Sequence, residues 1–424
     1  MYKRVIALVI GLLIGASVLP VSAFAIVSDT DLVATIPYAQ RGIAPEQMVD
    51  IDALAGMLMT SEGEVLWSRN ADERRPIASI TKVMTAIVAL ERGEVDEAVR
   101  ISPRAAHIGE ASVGLSAGQT YPLRYLLEVM MVRSGNDAAY AIAEHIAGSE
   151  AAFAQMMNEM AAALKMTQTN FRNSHGLDAH NHYSTAGDVA LMVRHAMQDP
   201  FFRELVTQHS TILPDGVRYT NSNELLATFE GSNGVKTGMT SGAGYCLAAS
   251  ARRGDIELYS VILAAPDNAG RFSDSAHLLE FGFAHFAPFT LMDAQTRLGE
   301  VEVLNHLDVS LSAGIAQSVE AIYYDLLGAV EYHYEIEPVS APVAEGAVVG
   351  HVTFMQNGEV LATEPLVTFE SIEAPTLYES FSFEITHLFR RLTQYTDEIV
   401  ARPTVILETI QIELAHFIGL FSHN

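Results

Sequence analysis

Two residues near the start of a predicted helix have the side chains that acyl transfer needs. Ser79 and Lys82 lie three positions apart, and the helix is predicted over residues 83–90. Because residues three apart on a helix share one face, the hydroxyl and the amine are expected to lie within reach of each other. A serine is a weak nucleophile until a base takes its proton, and a lysine desolvated in a closed site can be neutral enough to do so. The pair alone is a weak signal, since this spacing is common on exposed helices.

A second polar group follows a strongly apolar segment and precedes another predicted helix. It consists of Ser134-Gly135-Asn136. A hydroxyl and an amide so close together can project from one turn into a cleft. The alternative is a helix N-cap, since Ser and Asn are favoured at that position and Asp137 suits the first turn.

The third group is Lys236-Thr237-Gly238, in a predicted strand. On a strand, Lys236 and Gly238 face one side and Thr237 the other. The glycine allows a ligand to approach the backbone closely. Alone, this tripeptide says almost nothing about function.

Taken together and in this order, the three groups resemble the active-site motifs of the penicillin-binding protein and serine β-lactamase superfamily. The wider sequence is similar to one branch, the low-molecular-mass D-alanyl-D-alanine carboxypeptidases, which are serine peptidases. This resemblance covers essentially the whole chain after its first 25 residues. It is carried by residues 75–86 around Ser79, Ser134-Gly135-Asn136-Asp137-Ala138-Ala139, Asn173, Gly176-Leu177-Asp178, residues 184–188, Gly244-Tyr245 and Ala269-Gly270-Arg271.

The resemblance implies a reaction and a role for each catalytic residue. Ser79 attacks the carbonyl between the two terminal D-alanines of a peptidoglycan stem peptide, and Lys82 acts as general base. Ser134 relays a proton to the leaving amine, and Asn136 orients Lys82 and the substrate amide. Water then hydrolyses the acyl-enzyme, and β-lactam antibiotics are the expected covalent inhibitors.

The resemblance also implies how the substrate is held. Lys236, Thr237 and Arg271 bind its terminal carboxylate, for which the planar fork of arginine is suited. Backbone N–H groups, at Ser79 and at Met239 beside Gly238, hold the oxyanion. Some relatives carry a histidine where this chain has Met239, whose side chain cannot hydrogen-bond. The pH profile and the rate of antibiotic deacylation are therefore expected to differ from theirs.

Two other functions stay open at this point. One is a catalytically idle relative that serves as a binding module. The other is a different acyl-serine hydrolase: a β-lactamase, an esterase or a cross-link endopeptidase. Class A β-lactamases deacylate with a glutamate between the second and third motifs, and no glutamate occurs from Met160 through Arg203, where Asp178 and Asp188 are the main acids.

A metal site is considered and not favoured. His175, His180 and His182 form a small cluster around Asp178, and histidine is the commonest metal ligand. The serine mechanism needs no metal, however, and the stretch is typical of a polar loop. No metal and no cofactor are predicted. Cys246, in an apolar strand, is predicted to be a small buried hydrophobe.

The composition excludes other classes of function. The chain has 424 residues, with 25 Lys+Arg against 51 Asp+Glu and a formal net charge of −26. No basic excess is present to neutralise phosphates, which argues against a nucleic-acid binder and against binding anionic membranes by charge alone. The single cysteine rules out an intrachain disulfide. Recognition of an anionic substrate must therefore be local.

The N-terminus predicts export. A basic start, an apolar run over residues 5–19 and Ala23-Phe24-Ala25 follow one another as in a secretory signal peptide. An uncleaved anchor is the alternative, but the run is short of the roughly 20 residues that a span needs. We expect a signal peptide over residues 1–25 and an extracytoplasmic enzyme, peripheral on the outer face of the cytoplasmic membrane or in the cell wall.

The remaining patterns predict an α+β protein in three parts. Residues 26–288 mix helix and strand signals, as expected for a catalytic domain of antiparallel sheet plus helical cluster. Helices are predicted at 138–146 and 151–164, and strands at 245–251 and 261–265. Residues 289–372 are expected to form a small all-β sandwich, with a half-buried strand at 330–336 and a hairpin at Asn357-Gly358.

The last part, residues 373–424, is predicted to be an amphipathic helical tail. An apolar face is formed by Phe381, Ile385, Leu388, Phe389, Leu392 and Tyr395. Such a helix fits a membrane surface, and we expect membrane association through residues 376–424. The alternative is a helix packed on the protein's own body or on a partner.

Overall fold

A computed structural model describes Ser28 and residues 30–394 of the chain, with side chains up to residue 390. The predicted signal peptide, and the part of the predicted tail after residue 394, lie outside the described residues. The chain divides into two compact units, the first ending at His285 and the second beginning at Phe286.

The first unit is built on an antiparallel sheet. Its strands are β1 (Asp31–Val33), β2 (Ile36–Pro37), β3 (Ala55–Thr60), β4 (Val65–Arg69), β9 (Ser232–Thr240), β10 (Gly244–Arg253) and β11 (Ile256–Ala265). They are arranged in the order β2-β1-β4-β3-β11-β10-β9. The strands predicted at 245–251 and 261–265 are confirmed as parts of β10 and β11. Both are rich in apolar residues and buried along almost their whole length, as is typical of strands covered on both faces.

Two short hairpins complete the strands of the first unit. The first pairs β5 (Ala98–Arg100) with β6 (Thr120–Pro122), and the second pairs β7 (Ser210–Ile212) with β8 (Arg218–Thr220). The hydroxyl of Ser222, just after β8, is hydrogen-bonded to the hydroxyl of Thr237 in the third motif.

Helices cover both faces of this sheet. They are α1 (Thr81–Arg92), α2 (Leu123–Arg133), α3 (Asn136–Ala147), α4 (Glu150–Ala163), α5 (Ala186–Ala196), α6 (Pro200–Thr207), α7 (Leu225–Thr228) and α8 (Asn268–His285). The two helices predicted from the Ala- and Met-rich segments are confirmed as α3 and α4. Helix α8 packs on β10 and β11, while α5 packs on β3 and β11. Met130, Met131 and Met157 are buried in the core, as expected for flexible apolar side chains that fill gaps.

The second unit is an all-β body followed by one helix among its described residues. Its strands are β12 (Phe286–Met292), β13 (Arg297–Glu302), β14 (Ser310–Gly314), β15 (Val319–Tyr324), β16 (Glu331–Ile336), β17 (Val348–Gln356) and β18 (Glu359–Thr368). Strands β12 and β15 pair, and the others form a sheet in the order β13-β14-β18-β17-β16. The predicted hairpin is confirmed, since Asn357 and Gly358, with φ of 51° and 85°, join β17 to β18.

The prediction for β16 is right about the strand and wrong about its burial. Alternating residues predicted one buried face, yet Tyr332 and Tyr334 are 48% and 44% exposed. Strand β16 is at the edge of its sheet and pairs with β17 alone among the described strands. Alternation predicts a strand because side chains point to alternate faces, but burial depends on a neighbour that local sequence does not reveal.

The described part of the tail is helix α9 (Leu377–Gln394). Leu388 is buried, and Arg390 lies 3.2 Å from Asp308 of the same unit. Leu377, Tyr378 and Phe389 are exposed. One face of α9 therefore packs on its own unit while apolar side chains remain outside. Among the described residues, no helix is both long enough and apolar enough to cross a membrane.

Candidate active site

Ser79 lies in a short 3₁₀ turn, Ala78–Ile80, that leads directly into α1. Ala78, the residue before it, has a φ of 48°, a left-handed conformation that is uncommon for alanine. Its neighbours Ile77 and Ile80 are fully buried. The turn is thus fixed by packing on both sides of the serine.

Lys82, in the first turn of α1, is fully buried and surrounded by oxygen atoms. Its Nζ lies 2.9 Å from Oγ of Ser79, 2.7 Å from Oδ1 of Asn136 and 2.6 Å from the backbone oxygen of His175. The last two atoms can only accept hydrogen bonds. A neutral amine has two N–H groups and one lone pair, so it can donate to both and keep its lone pair for the Ser79 hydroxyl.

The environment of Lys82 also favours the neutral amine. Burial, followed by the nearby charge of Lys236, holds the pKa of Lys82 well below its usual range, while Asp137 and Glu110 act in the opposite direction. An amine of lowered pKa can accept a proton at neutral pH.

The second motif joins two helices at a sharp turn. Helix α2 ends at Arg133, Ser134 follows with a φ of 65°, and α3 begins at Asn136. Besides accepting from Lys82, Asn136 donates through Nδ2 to the backbone oxygen of Gly109 at 3.1 Å.

The N-cap alternative for this motif is wrong. The cap of α3 is Gly135, so neither Ser134 nor Asn136 caps the helix. In the first turn, the carboxylate of Asp137 accepts from the N–H of Ala138. The same carboxylate also accepts from the backbone N–H groups of Val113 and Leu115. It thereby fastens the 111–119 loop beside the motif.

Lys236 of the third motif lies on the edge strand β9 and is only 1% exposed. Its Nζ donates to the backbone oxygen of Thr237 at 3.1 Å. Burial and then the charges of Arg271 and Arg133 lower the pKa of Lys236 to about 7. The hydroxyl of Thr237 lies 2.7 Å from that of Ser222, just after β8.

Gly238 lets β9 approach the nucleophile closely. A methyl group built there would lie 2.9 Å from the oxygen of Ile77 and 3.1 Å from the nitrogen of Ser79. Space for a ligand was the expected reason for a glycine at this position. In the structure, the backbone of the nucleophile turn takes that space.

Met239 and Arg271 differ in how far their side chains are exposed to solvent. The Met239 side chain is 56% exposed, while Arg271 is 8% exposed. Nη1 of Arg271 donates to the oxygen of Gly238 at 3.0 Å, and Nη2 donates to Asn268. Arg271 therefore braces β9 from within the protein.

The sequence analysis did not identify Glu150. Its carboxylate holds the ring of His175, whose backbone oxygen is the third partner of Lys82. Nε2 of His175 lies 3.1 Å from Oε1 of Glu150, the first residue of α4. Nδ1 of His175 accepts from the N–H of Leu177 at 3.2 Å, so Nε2 carries the proton and donates to Glu150. The family-like stretch around Gly176 pointed to this loop, but no local signal pointed to Glu150.

Gly176 itself packs against the nucleophile turn. A methyl group at this position, where φ is 89°, would lie 1.9 Å from the oxygen of Ala78. With Gly238 on another side, two glycines let neighbouring backbones contact the turn that carries Ser79.

The other singled-out polar residues of this region bond within the protein. His182 lies 2.9 Å from Thr81 and accepts from the N–H of Arg172.

Two acidic residues of this region also bond within the protein. Asp178 accepts from Thr240 and from the N–H of Gly242. Asp188 accepts from Thr169 and from the N–H of Gln168. Both carboxylates thus bond neighbouring loops. Within the described residues, no group of three His, Cys, Asp or Glu is arranged to hold a metal ion.

Cys246 behaves as a core residue. It is fully buried in β10, and burial raises the pKa of its thiol to about 11. A thiol with so high a pKa stays protonated and unreactive at neutral pH.

Comparison with known families agrees with this geometry. Residues 41–267, more than half of the chain, match the D-alanyl-D-alanine carboxypeptidase family. The chain belongs to this family. Residues 286–374 match the C-terminal domain of penicillin-binding protein 5. The protein is accordingly a serine-type D-alanyl-D-alanine carboxypeptidase, a hydrolase of the penicillin-binding proteins with a cell-wall function.

Individual relatives are similar over most of their length. D-alanyl-D-alanine carboxypeptidase DacC of Escherichia coli K12 is 34% identical over 355 residues, 79% of this chain and 89% of the relative. The structure of carboxypeptidase DacD from Francisella tularensis is 28% identical, with a TM-score of 0.58, and covers 77% of this chain and 95% of that one. Penicillin-binding protein D2 of Listeria monocytogenes, in its ampicillin-bound form, is 32% identical, with a TM-score of 0.51 over 55% of this chain and 98% of that one.

Proposed function

We propose that this carboxypeptidase acts outside the cytoplasm and removes the terminal D-alanine from peptidoglycan stem pentapeptides through an acyl-Ser79 intermediate. The observation that carries the proposal is the coordination of Lys82. Its Nζ has two acceptor-only partners, and its remaining direction faces the Ser79 hydroxyl at 2.9 Å. That is the arrangement a general base requires before attack.

Acylation begins with Ser79. Its Oγ attacks the carbonyl carbon between the two terminal D-alanines while its proton passes to the lone pair of Lys82. The negative charge moves to the carbonyl oxygen, where the N–H groups of Ser79 and Met239 donate to it. One such donor is worth about 2.7–4 kcal/mol in the transition state.

Collapse of this intermediate breaks the C–N bond. The leaving amine needs a proton, which Lys82 returns through the Ser134 hydroxyl. Asn136 keeps Lys82 in place and donates to the substrate amide when substrate replaces Gly109 as its partner. D-Alanine leaves and an ester on Ser79 remains.

The terminal carboxylate of the substrate binds at the third motif. Lys236, in its protonated form, and the hydroxyl of Thr237 contact the carboxylate, and the charge of Arg271 supports it from behind Gly238. An exopeptidase must recognise this anion, and in a chain with a net charge of −26 the attraction has to be local.

Hydrolysis of the ester completes the cycle. A water molecule attacks the ester carbonyl, gives its proton to Lys82 and releases the Ser79 oxygen, which takes that proton back. β-Lactams enter the same first step and stay attached as covalent inhibitors. The ampicillin-bound Listeria relative supports this part of the proposal.

The proposal also divides the chain into four segments. We assign residues 1–25 to a signal peptide, 26–288 to the catalytic domain, 289–372 to the β domain and 373–424 to a tail that binds a membrane surface through residues 376–424. The apolar side chains that α9 leaves exposed, Leu377, Tyr378 and Phe389, support the last assignment. Membrane binding of so acidic a chain must rest on such apolar surface.

A direct assay tests the catalytic proposal. The mature protein is incubated with a stem pentapeptide ending in D-Ala-D-Ala, and released D-alanine is measured for wild type and Ser79→Ala. Release that disappears in Ser79→Ala supports the proposal. No release from wild type, or equal release from both, contradicts it.

Fluorescent penicillin distinguishes the alternatives. A wild type that is labelled but releases no D-alanine is an idle relative or an endopeptidase, and cross-linked peptide then separates these two. Rapid loss of the label with turnover indicates a β-lactamase.

Truncation tests the tail. Mature protein is compared with variants ending at residue 394 and at residue 375 in sedimentation with lipid vesicles. Binding that falls stepwise supports the assignment, whereas a full-length protein that does not sediment with vesicles refutes it. Circular dichroism of the shorter variant controls for the loss of α9 packing.

A further inference from the structure

Arg133 lies next to the second motif but has no role in the proposed catalytic mechanism. It is the last residue of α2 and directly precedes Ser134. With the 111–119 loop and the turn between β7 and β8, it lines a cavity of about 530 Å³ beside the second motif. Arg133 is half-buried, so its charge is held in place yet open to this cavity.

The guanidinium of Arg133 is oriented by two contacts. Nη1 donates to the backbone oxygen of Thr220 at 3.0 Å, and the group stacks over the ring of Tyr219 at 5.3 Å. Among the described residues, no carboxylate lies within ion-pair distance of it. Asp215, on the same cavity, accepts instead from Tyr219 and from the N–H of Val217. The charge of Arg133 is therefore not neutralised locally.

The same short segment connects Arg133 to the third motif. Thr220, which accepts from Arg133, is two residues before Ser222, whose hydroxyl lies 2.7 Å from that of Thr237. The N–H of Ser222 in turn donates to the oxygen of Val132 at 3.4 Å. Arg133 is also near enough to Lys236 for its charge to lower the pKa of that amine.

Arg271 is less free to meet an anion from the cleft. It is 8% exposed, and its two terminal nitrogens donate to Gly238 and Asn268. Its charge can support an anion from behind β9, but both terminal nitrogens already donate to protein acceptors, and its Nε is buried without a hydrogen-bond partner. Arg133 is a second arginine whose charge reaches Lys236, and its cavity gives an anion access to its guanidinium.

We propose that Arg133 is a further substrate-binding residue, whose guanidinium holds the terminal carboxylate of the D-Ala-D-Ala substrate together with Lys236 and Thr237. This inference rests on the proposed function of the site. It concerns specificity, because a charged donor that meets the carboxylate distinguishes a free C-terminus from a blocked one.

The test uses two peptides that differ only in this carboxylate. One is N-acyl-Lys-D-Ala-D-Ala and the other its C-terminal carboxamide, and kcat and KM are measured for both. For the free acid, Arg133→Gln should lower kcat/KM about tenfold, mainly through KM, as expected for one lost charged contact. For the carboxamide, kcat/KM should stay within about twofold of wild type. Arg133→Lys, which keeps the charge, should retain part of the preference for the acid.

Arg124→Gln is the matched control. It removes the same charge from the other end of α2, where Arg124 is exposed and paired with Asp96, and should leave both peptides unaffected. An unchanged acid-to-amide ratio in Arg133→Gln, or an equal fall for both peptides, overturns the inference. A wild type that cleaves neither peptide overturns the proposed function itself, which makes the two failures distinguishable.

Discussion

The side-chain nitrogen of Lys82 lies 2.6 Å from the backbone oxygen of His175, a residue whose ring is held by Glu150. The position of the proposed base thus depends on a loop tied to the start of α4. Burial raises the pKa of Glu150, but hydrogen bonds from His175 and Ser174 outweigh it and keep the pKa below its ordinary value. Glu150 is therefore ionised at neutral pH and acts as a positioning residue.

Glu150→Gln should slow catalysis without weakening substrate binding. The amide keeps the size of the side chain but loses the charge that holds the Nε2–H of His175. We expect kcat to fall about three- to tenfold with KM unchanged, since a charged hydrogen bond is replaced by a neutral one. The acid limb of the pH profile of kcat/KM should also shift, because it reports the pKa of Lys82. Steady-state kinetics between pH 5 and 9 measure both.

Glu159→Gln is the control for that experiment. It lies on the same helix but is exposed and contacts Gln155, so neither kcat nor the acid limb should change. If Glu150→Gln lowers activity while its acid limb stays in place, Glu150 has only a structural role.

The affinity for substrate should weaken as the pH rises through neutrality. With a pKa of about 7, Lys236 is an ammonium group below that pH and a neutral amine above it. The neutral form attracts a carboxylate less, so KM for a free-acid peptide should rise above pH 7. The carboxamide peptide has no carboxylate to lose, and its KM should show no such rise. A KM for the acid that is constant from pH 6 to 9 would contradict this role for Lys236.

Gly238→Ala should damage catalysis more than stability. The added methyl group meets Ile77 and Ser79 backbone atoms at 2.9 and 3.1 Å, so β9 has to move away from the nucleophile. A displacement near 1 Å can cost about a hundredfold in rate, whereas overpacking costs about 1–3 kcal/mol of stability. Penicillin acylation rates and thermal unfolding measure the two effects.

Gly109→Ala is matched to it, because that methyl group meets no atom within 4 Å. It should leave acylation close to wild type. Equal acylation by Gly238→Ala and wild type would show that the close approach of β9 is not needed.

Acid should destabilise the fold through His182. Burial, and after it electrostatic interaction with the neighbouring His175, lowers the pKa of His182 to about 4 from 6.5. Above pH 6.5 neither state is protonated there, and between 6.5 and 4 only the unfolded chain takes the proton. The free energy of unfolding should therefore fall by about 3 kcal/mol across this interval and level off below it.

His182→Gln isolates that contribution. Glutamine can replace the hydrogen bonds to Thr81 and Arg172 without titrating, so denaturant unfolding of this variant should lose that part of the pH dependence. His180→Gln, at an exposed position, should retain it. Identical pH dependence in His182→Gln and wild type would mean that another group is responsible.

Local patterns predicted the features that local physics determines. The spacing of Ser79 and Lys82 predicted their proximity, because a helix puts both on one face, and Asn357-Gly358 predicted the hairpin, because both residues accept positive φ. The contact of Glu150 with His175 joins a helix start to a distant loop, and the exposure of β16 depends on which strands lie beside it. Those facts depend on tertiary packing, which periodicity does not encode.

The left-handed conformation of Ser134 sets a limit on how stable this enzyme can become. At a φ of 65°, a residue with a side chain is disfavoured by about 1 kcal/mol, and glycine is the residue that the backbone itself would select. Ser134→Gly should thus strengthen the junction of α2 and α3 while removing the hydroxyl assigned to proton relay. A laboratory selection for thermal stability alone would favour Ser134→Gly and would yield a more stable but inactive protein. Retention of serine at this position therefore requires selection for catalytic activity.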